Sequence, residues 1–338
     1  MKLVYIILIV FCFCSCSNER KTEKVVKEFP ITEKLHGEVY KTFSPLFVPR
    51  YMGITGDYLY VYKEREKYKF VVYRIPEMEF LGEMGELGQG PNDFNLLDTR
   101  SFNQIEGGFQ VVEASSHKLK SVLFDNGKMI VSSSNSISEQ GYSGNGFYPL
   151  EDGGYLSLGR MEDKFEYSMY NAETKSFTSI GKYPAWYDLS SQEIPFVVYL
   201  KNCVVSVSQD RIAAFYSRFK RFRIYDTSMN LLRDVDVQIE PYKVSLGNPG
   251  ELASTYYINR PYSIGEYIYS LCSLSQTDKH GNSELHVWDW EGNPIACYEL
   301  GRKISLFAID EKRGKIYALN NEVEDEFYIY DLPDFNGN

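Results

Sequence analysis

One short pattern recurs six times along this chain, and it constrains the fold more than any other feature of the sequence. In each copy a turn rich in glycine or aspartate precedes a run of residues that favour β-strands. Repeats of this period, when they are built from strands, are typical of the blades of a β-propeller. The copies are about 50 residues apart and begin at Gly56, Gly107, Gly153, Asp210, Gly265 and Gly314.

A second series of strand-forming runs, each centred on an aromatic residue, follows the first in the same order. The chain holds 28 Tyr and 21 Phe, and such residues favour half-buried, pleated surfaces. Together the two series predict an all-β, six-bladed β-propeller with four-stranded blades, in which the strand before each turn is the innermost. The runs are Val71–Tyr73, Val122–Phe124, Ser168–Tyr170, Arg223–Tyr225, His286–Trp288 and Tyr328–Tyr330.

The last blade needs a strand from elsewhere. The chain ends soon after Leu332, so the segment Ile304–Leu332 supplies inner strands but no fourth strand. The segment Leu35–Phe43 has Val39 and Phe43 on one face if it is extended, and we expect it to fill the gap. An N-terminal strand in this position closes the ring and removes an exposed sheet edge. Residues 35–338 are therefore predicted to form one propeller domain.

The first residues predict export. Lys2 precedes the apolar run Leu3–Phe11, which is short for a membrane span and typical of a signal peptide covering residues 1–15. The sequence Phe13-Cys14-Ser15-Cys16 resembles a bacterial lipobox, with Cys16 as the lipidated residue. Cys14 is an alternative acceptor, but Phe13 before it is large; a plain secretory peptide is the other alternative. Residues 16–34 are expected to be a lipidated, flexible tether.

Three glycines and a proline between Gly85 and Phe94 predict a shaped loop, because glycine permits positive φ and proline fixes φ. The loop resembles the G-x-x-G-x-G-P-x-x-F loop of the TolB-like six-bladed β-propeller lipoproteins of Bacteroidetes. Asn92-Asp93 stands here in place of the more usual Gly-Glu. The resemblance extends over nearly the whole mature chain and implies the propeller fold, but it implies no chemistry.

The sequence contains no recognisable catalytic, cofactor or metal motif. Cys203, Cys272 and Cys297 are widely spaced, which favours buried apolar cysteines over a disulfide framework or a zinc site. The four histidines form no metal-binding pattern. The formal net charge of −10 argues against nucleic acid as a partner. We therefore expect no catalytic residue, cofactor or metal.

Three arginines occupy nearly equivalent places shortly before the turns of the first, second and fifth repeats. Arg50, Arg100 and Arg260 would converge if the innermost strands begin near one mouth of the central channel. A guanidinium group suits carboxylate, phosphate or sulfate. The alternative is that each arginine pairs with a nearby acid, such as Asp57 or Asp98, and only braces a loop.

Two functions from different classes fit these observations. The first is a non-enzymatic binding or scaffold lipoprotein that takes a protein, peptide or glycan. The alternative is an extracytoplasmic hydrolase or lyase acting on a polysaccharide or another anionic substrate at the channel mouth. Two solvent-open carboxylates in the channel would favour the enzyme, whereas a channel plugged by Tyr and Phe would favour binding by loops. Ser17–Lys21 is mixed in charge, which favours the periplasmic face of the outer membrane over the cell surface.

Overall fold

Six β-sheets form a ring, so the predicted six-bladed β-propeller is confirmed. The structure is a computed structural model that describes residues 22–43, 45–138, 142–162, 164–247, 253–273 and 281–334. Four strands build each blade, and the strand before each repeated turn is the innermost, as the sequence predicted. The signal peptide expected at residues 1–15 and the lipidated Cys16 lie outside the described residues.

Blades 1 to 3 follow one another along the chain, each in the order innermost to outermost strand. Blade 1 consists of β4 (Pro49–Thr55), β5 (Tyr58–Lys63), β6 (Tyr68–Arg74) and β7 (Glu79–Glu86). Blade 2 consists of β8 (Asn103–Ile105), β9 (Gly108–Glu113), β10 (Lys118–Asp125) and β11 (Lys128–Ser136). Blade 3 consists of β12 (Tyr148–Pro149), β13 (Tyr155–Leu158), β14 (Phe165–Asn171) and β15 (Ser176–Lys182).

Blades 4 to 6 complete the ring. Blade 4 contains β16 (Lys201–Val205), β17 (Arg211–Tyr216), β18 (Arg221–Asp226) and β19 (Leu231–Val237). Blade 5 contains β20 (Tyr262–Ile264), β21 (Tyr267–Ser273), β22 (Ser283–Asp289) and β23 (Pro294–Glu299). Blade 6 takes β24 (Leu306–Asp310), β25 (Lys315–Leu319) and β26 (Glu326–Asp331) from the C-terminal part of the chain.

The N-terminal part of the chain runs around the outside of blades 4, 5 and 6. Strand β3 (Glu38–Lys41) pairs antiparallel with β26 and is the fourth strand of blade 6, which confirms the predicted closure. Strand β1 (Glu23–Val26) pairs parallel with β19, and β2 (Ile31–Lys34) pairs parallel with β23. Strands β1 and β2 are therefore fifth strands on blades 4 and 5, in a stretch for which the sequence suggested a flexible tether. Their backbone groups hydrogen-bond to the outer strands of both blades, although most of their side chains stay exposed.

Apolar side chains fill the contacts between neighbouring blades. Among the described residues there is one buried cluster at each of the six contacts. Aromatic rings dominate the contact of blades 1 and 2, where Tyr60 and Phe109 stack with their centroids 4.6 Å apart. Stacked and edge-to-face rings bury a large area in fixed orientations, so they hold the blades in register around the ring.

The glycine-rich loop at Gly85–Phe94 has the shaped conformation that its composition predicted. Gly85 has φ of +68°, and a Cβ on it would lie 2.8 Å from the ring of Phe94. The Asp93 carboxylate accepts a hydrogen bond from the Gly90 amide at 2.8 Å. Phe94 is buried against Phe70, at 5.3 Å between centroids. Asp93 therefore supplies the contact that fixes the loop, and Phe94 anchors it to the blade core.

Helix is nearly absent. The part of the chain that the structure describes has one helix, α1 (Pro195–Val198), in the connection between blades 3 and 4. No helix within it has the length and apolar character needed to cross a membrane.

Candidate functional site

The two faces of the ring differ in how the strands are connected. The innermost strands begin on one face, which receives blade-to-blade connections such as 87–102 and 183–200. We call this the loop face. The opposite face, which we call the turn face, carries the short turns after the innermost strands, such as Gly56-Asp57. Binding residues of β-rich proteins concentrate in long loops held by a rigid scaffold, so the loop face is the first place to search.

The three arginines that the sequence singled out do converge. Arg50, Arg100 and Arg260 line one cavity of about 490 Å³ at the loop-face end of the central channel. We call this cavity the arginine mouth. Lys303 adds a fourth cation, and Glu322 is the one carboxylate among the described lining residues. The arginine mouth is therefore electropositive although the chain as a whole is acidic.

Arg260 reaches across the channel. It enters from blade 5, and its Nη2 donates a hydrogen bond at 2.7 Å to Oδ1 of Asn103 on the innermost strand of blade 2. Blades 2 and 5 stand opposite each other in a ring of six. Its guanidinium carbon also lies 5.1 Å from the ring centroid of Tyr148 on blade 3. Nη1 is buried and has no hydrogen-bond partner among the described residues, so one donor of this guanidinium is unsatisfied.

The other two arginines differ in their partners. Nε of Arg100 donates to Oδ1 of Asn202 on blade 4 at 3.2 Å, so this side chain also spans the channel entrance. Nε of Arg50 pairs with Glu64 at 2.9 Å near the rim. The loop-bracing alternative therefore describes Arg50, but it does not describe Arg100 or Arg260. Asp57, offered as a partner in that alternative, instead pairs with Arg313.

Asp98 lies beside Arg100 without neutralising it in the ordinary way. Burial raises the pKa of Asp98, even though Tyr142 Oη and the amides of Arg100 and Gly146 all donate to its carboxylate. The hydrogen bond between the two residues comes from the backbone amide of Arg100, and the Arg100 side chain bonds to Asn202 instead.

Aromatic and polar side chains close the middle of the channel. Tyr51 stacks on Phe102 at 4.1 Å between ring centroids, and the hydroxyl of Tyr262 donates to the carbonyl of Met52. Arg260 and Tyr51 line both the arginine mouth and a second cavity of about 400 Å³ that opens toward the turn face. This plug of Tyr, Phe and Arg divides the channel into two separate cavities, the arrangement that favours binding by loops.

The described lining residues of neither cavity include the carboxylate pair that a glycosidase needs. Glu106 is the one carboxylate among the described lining residues of the turn-face cavity, as Glu322 is in the arginine mouth. Glu322 accepts a hydrogen bond from Lys303 at 2.5 Å, whereas Asp325 pairs with Lys41 at the outer edge of blade 6. Glu322 and Asp325, although close in sequence, therefore belong to different ion pairs and do not form a carboxylate pair.

The sequence analysis did not identify the two asparagines that hold Arg260 and Arg100 in the arginine mouth. Asn103 and Asn202 lie on the innermost strands of blades 2 and 4, and each accepts a hydrogen bond from an arginine of another blade. An asparagine in an innermost strand was the available signal. The pairing itself crosses the channel, so no local pattern in the sequence reports it.

Comparisons with known proteins place the fold. A crystal structure of a putative exported protein from Bacteroides fragilis superposes with a TM-score of 0.56 at 10% identity, covering 92% of this chain and 100% of that one. A member of the DUF4221 family from Bacteroides vulgatus superposes with a TM-score of 0.55 at 10% identity, covering 88% of this chain and 97% of that one. No family model and no curated protein matches the chain. These likenesses support the propeller fold.

Proposed function

We propose that this chain is a non-enzymatic, extracytoplasmic binding lipoprotein whose arginine mouth takes an anionic group of a peptide, protein or glycan. The observation that carries the proposal is the buried, unpartnered Nη1 of Arg260 in a cavity with four cationic side chains and one carboxylate. Like charges held close together repel, so an anion at this place relieves repulsion as well as adding charge-assisted hydrogen bonds.

The plug across the channel supports binding rather than turnover. A ligand at the arginine mouth meets Arg260, Tyr51 and the stacked rings below them and does not pass through the ring. The connections that carry Thr99, Arg100 and Ile258–Arg260 line the cavity and offer additional contacts to a larger molecule. A macromolecule that presents a carboxylate, phosphate or sulfate at its tip therefore fits this site better than a small free substrate.

The path of the N-terminal chain supports a lipid anchor on the opposite side. Strand β1 runs parallel to β19, from the turn-face side toward the loop face. An anchor at Cys16 therefore joins the propeller from the turn-face side and leaves the arginine mouth facing away from the membrane. The lipobox-like residues Phe13–Cys16 and the exported structural neighbour both support an extracytoplasmic location. We propose that this location is the periplasmic face of the outer membrane.

Anion binding can be tested by thermal unfolding at low ionic strength with sulfate, phosphate or a uronate sugar. At ten times its Kd an anion should stabilise the wild-type protein by about 1.4 kcal/mol. Arg260→Ala should abolish the shift, and Arg260→Lys should keep part of it, because lysine retains the charge without the planar fork. Added sodium chloride should reduce the shift.

Arg211→Ala is the matched control. Arg211 pairs with Glu291 near the turn face and does not line the arginine mouth, so its loss should leave the anion shift intact. Wild-type protein whose melting is the same in all three anions at low salt would contradict the proposal. An equal shift in Arg260→Ala and wild type would show that the anions bind elsewhere.

The anchor is tested separately. Cys16→Ala should release the protein from membranes and abolish incorporation of labelled fatty acid. Protease treatment of intact cells should leave the wild-type protein whole if it lies on the periplasmic face. Digestion of the protein on intact cells would instead assign it to the cell surface.

A further inference from the structure

A second polar cluster lies outside the channel, in the contact between blades 4 and 5. It consists of Glu284 and His286 on β22 and Cys297 on β23, and their ligand atoms all lie within 4.8 Å of one another. His286 and Cys297 are directly opposite each other in the strand register, and Glu284 is two residues along β22 on the same face. His286 Nε2 and Glu284 Oε2 are 2.9 Å apart.

This cluster is nearly dry. The side chain of His286 is 3% exposed and that of Glu284 18%, while Cys297 is 5% exposed. The ring of Phe29, from the segment between β1 and β2, covers His286 at 4.8 Å between centroids. The free thiol of Cys297 is enclosed in the same buried cluster.

The three donors match the chemistry of one class of metal ion. Thiolate sulfur, imidazole nitrogen and carboxylate oxygen together suit Zn²⁺, whereas Ca²⁺ and Mg²⁺ prefer oxygen alone. Three protein ligands with one position left for water is a common arrangement for Zn²⁺. A thiolate and a carboxylate also balance the charge of a divalent ion in a buried place.

A neighbouring hydroxyl orients the imidazole. The Tyr257 hydroxyl lies 3.5 Å from Nδ1 of His286, on the ring edge away from the cluster. A partner on the second ring nitrogen fixes the tautomer and the orientation of a ligand histidine. This contact leaves Nε2 as the nitrogen directed at Glu284 and Cys297.

A disulfide does not explain the thiol. Cys272 shares this face of blade 5, opposite Glu284 on β21, but β22 lies between it and Cys297. Two strand spacings alone place their Cα atoms more than about 9 Å apart, and an offset of two residues along the strands adds to this. The separation is beyond the limit of about 7 Å for a disulfide. Both cysteines are free thiols.

From this geometry we infer that Glu284, His286 and Cys297 form a Zn²⁺ site that joins the outer strands of blade 5 beneath the N-terminal segment. The site is distinct from the arginine mouth and does not depend on anion binding there. Metal binding releases the Cys297 proton, and water completes the coordination.

The test is titration of metal-free protein with Co²⁺, a spectroscopic substitute for Zn²⁺. One equivalent should bind and give the near-ultraviolet absorption of a cobalt–thiolate bond, and Zn²⁺ should displace it. Cys297→Ser should lose that absorption and bind at least about 100-fold more weakly, because loss of a ligand exceeds the 10–100-fold cost of losing an outer partner. Tyr257→Phe should keep the absorption and bind about 10-fold more weakly.

Cys203→Ser is the control, because Cys203 is buried on blade 4 outside the cluster. Its binding should equal that of the wild type. Absence of saturable Co²⁺ binding would overturn the inference. Full binding by Cys297→Ser would also overturn it, and would assign the metal to other cysteines. If Cys297→Ser does not fold, Glu284→Gln decides: an affinity equal to that of the wild type overturns the site, and a loss of about 100-fold supports it.

Discussion

Strand β3 is the fourth strand of blade 6, whereas β1 and β2 lie outside blades 4 and 5, which already have four strands. Strand β3 pairs antiparallel with its neighbour, and β1 and β2 pair parallel with theirs. All three come from one short stretch of chain with mostly exposed side chains. The difference is that β3 completes a sheet on which ring closure depends, while β1 and β2 cover edges that two finished sheets would otherwise expose.

The two parts of this N-terminal segment are also attached differently. Val26 and Phe29 are buried in the contact of blades 4 and 5, so the segment around β1 and β2 is held by apolar side chains as well as backbone bonds. Strand β3 has exposed side chains except for half-buried Tyr40, whose hydroxyl donates to the carbonyl of Met78 in blade 1. Backbone pairing therefore matters most for β3, and side-chain burial matters most for the preceding segment.

The largest effect should come from deleting β3. Removal of residues up to Phe43 leaves the outer edge of β26 unpaired and opens the ring between blades 6 and 1, so we expect aggregation and loss of cooperative unfolding. Removal of residues up to Lys34 takes away only β1 and β2 and should leave a cooperative, less stable protein. Chemical denaturation followed by fluorescence and circular dichroism compares the two. Similar unfolding curves for both deletions would contradict the distinction drawn here.

A smaller effect should follow from Phe29→Ala. The Phe29 ring packs on His286 and on Trp288, at 4.8 Å and 4.9 Å between centroids. Loss of a buried phenylalanine ring costs about 3 kcal/mol or more of the free energy of unfolding. Phe43 is the matched control, because it also stacks on an aromatic ring, that of Phe80, but is 77% exposed.

Phe43→Ala should therefore change the free energy of unfolding by well under half as much as Phe29→Ala. Hydrogen exchange adds a local measurement, in which Phe29→Ala should speed exchange in β1 and β2 and leave β3 protected. Equal costs for the two substitutions would show that the buried ring is not what attaches the segment.

The sequence predicted the parts of the fold that repeat. Six turn-and-strand copies indicate six blades, and the missing partner of β26 indicates closure by the segment around Val39. Strands β1 and β2 were not predicted, because each has only four residues and every side chain of β2 is exposed. They are held by backbone pairing with β19 and β23 and by burial of Phe29 between blades 4 and 5. These partners are distant in the sequence, so no local pattern around β1 and β2 indicates the pairing.

The two candidate sites also have features that the sequence predicts and features that it does not. Convergence of Arg50, Arg100 and Arg260 follows from their equivalent places in the repeat, so it was predictable. The bridges to Asn103 and Asn202 depend on which blades face one another across the channel. The cluster at the contact of blades 4 and 5 depends on strand register, since Cys297 and His286 are separated in sequence and opposite in the sheet.

The smallest effect concerns the ion pairs at the end of β3. Lys41 donates to Asp325 at 3.0 Å and to Glu326 at 2.7 Å, but its side chain is 62% exposed. The hydrogen bond from Lys41, helped by the Tyr328 hydroxyl, lowers the pKa of Glu326. A carboxyl group whose pKa is lower in the folded state contributes stability above its unfolded pKa of about 4.3 and loses it as the pH falls through the folded value. Lys41→Ala should therefore raise the pKa of Glu326, measured by carbon NMR of the carboxyl group. The free energy of unfolding that is lost on acidification because of Glu326 should then be smaller.

At neutral pH and physiological salt, the same Lys41→Ala substitution should leave the melting temperature and the hydrogen-exchange protection of β3 unchanged, because exposed pairs are weak and screened. The backbone bonds between Glu38–Lys41 and β26 remain in this variant. Exchange in β3 of this variant as fast as in an unstructured peptide would mean that the ion pairs, and not backbone pairing, hold the closing strand. That outcome would remove the distinction between β3 and the segment before it, since both would then depend on side chains.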